Sequence, residues 1–134
     1  MKLTLSNDIE QVPQLSEFIE NVCEKFCLDM DTTMSLNLAL EEAVVNVMSY
    51  AYPKGTTGYV TIEVVKGPQY LDFIISDSGK PFNPTTKDDP DTNLSLEERP
   101  IGGLGIHIIR QIMDIVHYER KANHNILTLR KNIH

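Results

Sequence analysis

Hydrophobic and polar positions alternate over the first six residues, Met1, Leu3 and Leu5 against Lys2, Thr4 and Ser6, which is the period of a half-buried strand. From Asp8 the period lengthens. Ile9, Val12, Leu15, Ile19, Val22 and Phe26 recur at three and four residues and predict an amphipathic helix, with Pro13 suited to its first turn. A second helix is predicted from an N-cap at Asp31 or Thr32, with a core stripe of Leu36, Leu40, Val44 or Ala43, Val47 and Ala51, until Pro53 and Gly55 stop it. Two β-rich runs, Tyr59–Val65 and Tyr70–Ser76, are joined by Lys66-Gly67-Pro68-Gln69 and read as a hairpin. Gly79–Pro100 holds Pro81, Pro84, Pro90 and Pro100 among acidic and amide residues, the composition of a long irregular loop. Ile101-Gly102-Gly103-Leu104-Gly105 then opens a third helix with Ile106, Ile109, Ile112, Met113 and Val116 on its apolar side. Strand-like runs at Val116–Arg120 and Ile126–Lys131 flank a turn at Ala122–Asn125. This order predicts an α+β two-layer sandwich: a mixed, mostly antiparallel sheet with helices on one face.

At 134 residues the chain fits one domain, 1–134. Its longest apolar runs fall short of the roughly 18 residues a membrane helix needs. Met1–Ser6 lacks the basic region and long apolar core of a signal peptide, so a cytoplasmic location is expected. The net charge of −7 disfavours direct binding to nucleic acid, which needs clustered Lys and Arg; the one basic cluster is Arg130 and Lys131 with Arg120 and Lys121. Cys23 and Cys27, four apart in the first helix, are expected to share a face as buried thiols, because no second Cys/His pair at ligand spacing accompanies them.

Three short motifs carry candidate chemistry. Glu42 and Asn46 are four apart on one face of the second helix. A carboxylate can take a proton there and an amide oxygen can ligate a hard cation; a solvated glutamate beside a satisfied asparagine is the plain alternative. Asp77-Ser78-Gly79 follows the second hairpin strand, where a fixed carboxylate can accept from an exocyclic amine and a glycine admits a flat ring. An ordinary turn uses the same residues. Gly102-Gly103-Leu104-Gly105 at a helix N-terminus offers free N–H groups to an anion, although it is neither a Walker loop nor a dinucleotide fingerprint. Taken in order, the three supply metal and water, base, and phosphate.

In that order and spacing the chain resembles the GHKL ATPases, and within them the anti-sigma factor serine/threonine kinases. The resemblance spans nearly the whole chain: Glu42-Ala43-Val44-Val45-Asn46 is similar to the N box, Asp77-Ser78-Gly79-Lys80-Pro81-Phe82-Asn83-Pro84 to the first glycine box, and Gly102-Gly103-Leu104-Gly105-Ile106 to the second. It implies ATP and Mg2+ as ligands, Asn46 on the metal, Glu42 as general base, Asp77 and Gly79 at the adenine, and Gly103 and Gly105 at the phosphates. Arg99 is the implied cation near the terminal phosphate, and Thr128 an implied residue at the adenine end. Tyr50 departs from the pattern, standing where related kinases often carry His. The implied partner is a small anti-anti-sigma (STAS-type) protein, with a sigma factor and a homodimer as further possibilities and no membrane. The expected function is a kinase of that partner. The alternative is a nucleotide-sensing module that binds its partner without phosphorylating it.

Overall fold

The computed structural model describes residues 1–86 and 105–133. Within them run β1 (Lys2–Ser6), α1 (Val12–Lys25), α2 (Met30–Tyr50), β2 (Tyr59–Lys66), β3 (Tyr70–Asp77), α3 (Gly105–Ile112), β4 (Ile115–Lys121) and β5 (His124–Asn132), with short 3-10 turns at Ile9–Gln11 and Pro84–Thr86. The elements come in the order the sequence pattern predicts.

The described sheet has five strands in the order β1-β2-β3-β5-β4. Every pairing is antiparallel, so the expected parallel component is absent from it. The connections explain this. Two helices in succession return the chain to the end it left, so β2 runs against β1; β2–β3 and β4–β5 are hairpins, and β5 pairs back onto β3.

Along β3, Leu71, Phe73, Ile75 and Asp77 are buried and alternate with half-buried Asp72, Ile74 and Ser76; along β5, Asn125, Leu127 and Leu129 are buried and Ile126 and Thr128 are not. One face of the sheet therefore meets the helices, and its buried side chains join Leu15, Ile19, Leu36, Leu40, Ile106 and Ile109 in one core.

Two helix ends differ from the predicted ones. α2 starts two or three residues early because Asp29, not Asp31 or Thr32, is the N-cap: its carboxylate accepts from the Thr32 N–H at 2.7 Å. α1 ends at Lys25, and Cys27 lies beyond it with a left-handed φ of 56°, exposed, while Cys23 stays buried. The thiols thus do not share a face. No group of three His, Cys, Asp or Glu able to hold a metal occurs among the described residues.

Candidate functional site

α2 carries Glu42 and Asn46 on one side. Glu42 is half-buried, and Asn46 is 4% exposed. Among the described residues the Asn46 amide has no hydrogen-bond partner. It is not among the buried polar atoms left without a partner, which among the described residues are Asn37 Oδ1 alone, so the Asn46 amide keeps a path to solvent and to a ligand. An asparagine oxygen is a hard, neutral donor, which fits Mg2+.

The C-terminal turn of the same helix fastens the next motif. The Lys80 N–H donates to the Ala51 carbonyl at 2.8 Å, and the Ser78 N–H donates to the Tyr52 hydroxyl at 3.0 Å. Tyr50 stacks on Phe82 with centroids 5.3 Å apart. A Cβ on Gly79 would stand 2.3 Å from the Ala51 oxygen. The close approach that requires glycine is therefore made by the end of α2. Five residues of helix, about 7.5 Å of axis, separate this anchor from Asn46, and four more separate Asn46 from Glu42.

Asp77 ends β3, 3% exposed. Its Oδ1 accepts from the Gly79 N–H at 2.8 Å and from Asn125 Nδ2 at 2.9 Å, and Oδ2 takes no protein hydrogen bond among the described residues. Burial pushes the carboxyl above the usual carboxylate range; the bonds from Asn125 and Gly79 and the charges of Arg120 and His124 pull the other way without cancelling it.

Asn125 is the functional residue the motifs miss. Beyond Asp77, its Nδ2 donates to the Lys80 carbonyl at 2.8 Å, while its Oδ1 accepts from the Phe82 N–H at 3.1 Å and the Tyr118 hydroxyl at 2.5 Å. Every bond of this buried amide goes to the Asp77 loop or to β4, and Arg120 adds a bond to the Gly79 carbonyl at 2.8 Å. Its position could have been read from parity, since Asn125 shares the face of Leu127 and Leu129.

The same parity corrects Thr128. It pairs with Ile74 on the sheet face turned away from the helices, opposite to the side that Asp77 and Asn125 take, because one residue along a strand reverses the side chain. A small cavity of about 180 Å³ on that outer side, lined by Tyr59, Thr61, Ser76, Asp77, Ser78 and His124, is too small for a nucleoside triphosphate.

Gly105 is the first residue of α3, which packs on α2, and Arg110 of α3 donates to the Thr85 carbonyl in the turn that follows the Asp77 loop. Gly103 and Arg99 lie outside the described residues. The sequence's basic cluster is dispersed: Arg130 holds Asp72 through Nε at 2.8 Å and through its second nitrogen at 3.0 Å, and Lys131 donates to the Ile112 carbonyl at 2.9 Å. No described helix is long and apolar enough to cross a membrane.

The family model described as a histidine kinase-like ATPase domain matches residues 5–131. The serine/threonine-protein kinase BtrW of Bordetella bronchiseptica is 28% identical over 95 residues, 71% of this chain and 67% of that protein. The serine-protein kinase RsbW of Bacillus subtilis is 27% identical over 115 residues, covering 83% of this chain and 70% of the relative. RsbW of Listeria monocytogenes is 31% identical over 85 residues, 60% of this chain and 54% of the relative. A histidine kinase domain from the blue-light activated kinase of Erythrobacter litoralis EL346 superposes with a TM-score of 0.56 over 93% of this chain and 60% of its own, at 12% identity, a likeness of fold.

Proposed function

The chain belongs to the histidine kinase-like ATPase domain family, and from that membership we propose that it binds ATP and transfers its terminal phosphoryl group to a serine or threonine of a partner protein. The observation that carries the adenine half is Asp77: one carboxylate oxygen is tied down by Gly79 and Asn125, and the other is left for an amine donor. Asn46 would hold Mg2+ through its unpartnered amide. The metal, when bound, offsets negative charge on the phosphates.

Glu42 is the general base of this reading. It takes the proton of the partner's hydroxyl as that oxygen bonds to the terminal phosphorus, and the bond to ADP breaks. The glycines at Gly103 and Gly105, with Arg99, are assigned to the phosphates. The names of the similar proteins, serine- and serine/threonine-protein kinases, support transfer to protein. An anti-anti-sigma (STAS-type) protein is the partner we propose, with phosphorylation releasing it and freeing the chain for a sigma factor in the cytoplasm.

Titration with ATP, with and without Mg2+, tests the site. Wild type should bind in a Mg-dependent way, and Asn46→Ala should lose most of that dependence. Phosphoryl transfer to a cognate antagonist should fall by about a hundredfold in Glu42→Ala, within the usual contribution of a general base. Binding with no transfer to any antagonist would favour the nucleotide-sensing module.

A further inference from the structure

The charge of this chain is segregated. Residues 8–42 hold nine of the 19 acidic residues and one of the 12 basic ones, Lys25, a net −8 against −7 for the whole chain; everything else sums to +1. That stretch builds α1 and the first part of α2, and Glu17, Glu20, Glu24, Asp31 and Glu41 are all exposed on it. The outward side of the helix layer is therefore an acidic surface, while the other described residues carry nine basic against five acidic side chains.

Within it lies an apolar stripe. Met30, Met34 and Leu38 recur every four residues along α2 and share one face. They are 77%, 64% and 48% exposed, although Leu36 and Leu40 on either side of Leu38 are fully buried. Leu38 points away from the core because two helical positions turn a side chain through about 200°. Unbranched Met side chains adapt to the surface that meets them, a property of faces that receive helices.

We propose that this stripe docks a basic amphipathic helix of another protein, apolar residues on Met30, Met34 and Leu38 and Lys or Arg against Asp31, Glu41 and the α1 glutamates. Charge decides among the occupants. A second copy of this face would bring two acidic surfaces together, and an anionic lipid or nucleic-acid surface would meet the same repulsion. A helix with basic flanks gains on both counts, burying apolar area at the centre and pairing charge at the rim. This inference rests on the surface alone and stands or falls separately from the nucleotide site.

The probe is a synthetic amphipathic peptide with Leu on one face and Lys on both flanks, followed by the methyl NMR signals of Met30 and Met34 in the full chain. The expected result is saturable binding that shifts both methyls. The double variant Met34→Ser, Leu38→Ser should weaken binding at least about tenfold, and Asp31→Lys with Glu41→Lys by a similar factor that shrinks in high salt. These positions are exposed, so the variants should keep the wild-type melting profile. A peptide with Glu in place of Lys, and a scrambled Leu/Lys peptide, should leave the methyls unmoved. No binding, equal binding by the serine variant, or equal binding of the scrambled peptide overturns the proposal. So does self-association of the free chain that Met34→Ser abolishes, or binding of anionic vesicles through the same methyls.

Discussion

At the scale of single residues the centre of the molecule is Asp77, which the fold holds at a cost. Its carboxyl is raised by burial, so folding favours the protonated form, and the penalty for the charged form grows as pH rises from the unfolded acid range through the raised folded value. Asp77→Asn keeps an oxygen to accept from Gly79 and Asn125 and removes the buried charge. Its melting temperature should therefore exceed that of wild type at pH 7, and the difference should vanish in acid, where both side chains are neutral. The same change puts an amide N–H where an amine donor must land. ATP affinity should fall about thirtyfold, the equivalent of roughly 2 kcal/mol for a hydrogen bond turned into a clash of donors. Calorimetric melts at both pH values, with ATP titration of the two proteins, read both effects; a variant that is more stable and still binds ATP normally would take Asp77 out of the adenine site.

Elements were legible wherever one period ruled a segment. The strands of the first hairpin fall on the two β-rich runs, and within α1 the stripe of Val12, Leu15, Ile19 and Val22 is buried with Cys23 beside it, whereas Ile9 of the same stripe lies in the 3-10 turn, exposed. What sequence left unread depends on pairings that no local window contains. Asp29 rather than Asp31 caps α2 because of one hydrogen bond to Thr32, and Asn125 becomes a hub only when β5 is laid beside β3 so that it stands opposite Asp77. Thr128 is the complementary case: its place between buried Leu127 and Leu129 puts it on the outer face, away from the adenine end that the resemblance implies. The β4–β5 connection shows how tight the local geometry is. Lys121 pairs with His124, so Ala122 and Asn123 alone make the turn, both left-handed at φ 53° and 64°. A two-residue turn of that kind needs positive φ at both positions and prefers Asn or Gly, so Ala122 carries avoidable strain. Ala122→Asn should raise stability by about 0.5–1 kcal/mol, seen as a higher urea midpoint with an unchanged slope.

On the scale of the whole molecule, the residues assigned to the ligand come from both layers: Glu42 and Asn46 from α2, Asp77 from the end of β3, Gly105 from the start of α3. Among the described residues these places are joined by the contact of Gly79 and Lys80 with Ala51, the Ser78 bond to Tyr52, the stack of Tyr50 on Phe82, the packing of α3 on α2 and the Arg110 bond to Thr85. A ligand that spans them adds a link between layers present only in the folded state, and mass action sets its size. ATP with Mg2+ at a hundred times its dissociation constant adds about 2.7 kcal/mol. By the usual entropy of unfolding per residue, that should raise the melting temperature of a 134-residue chain by about 8–10 °C. GTP at the same concentration should do much less, because guanine turns a carbonyl oxygen, an acceptor, toward the open oxygen of Asp77. Asn46→Ala should reduce the ATP shift to its Mg-free value. Melts of wild type and variant with each nucleotide separate the two halves of the site: equal shifts for ATP and GTP would remove the adenine role of Asp77, and an Mg-dependent shift that survives Asn46→Ala would remove the metal role of Asn46.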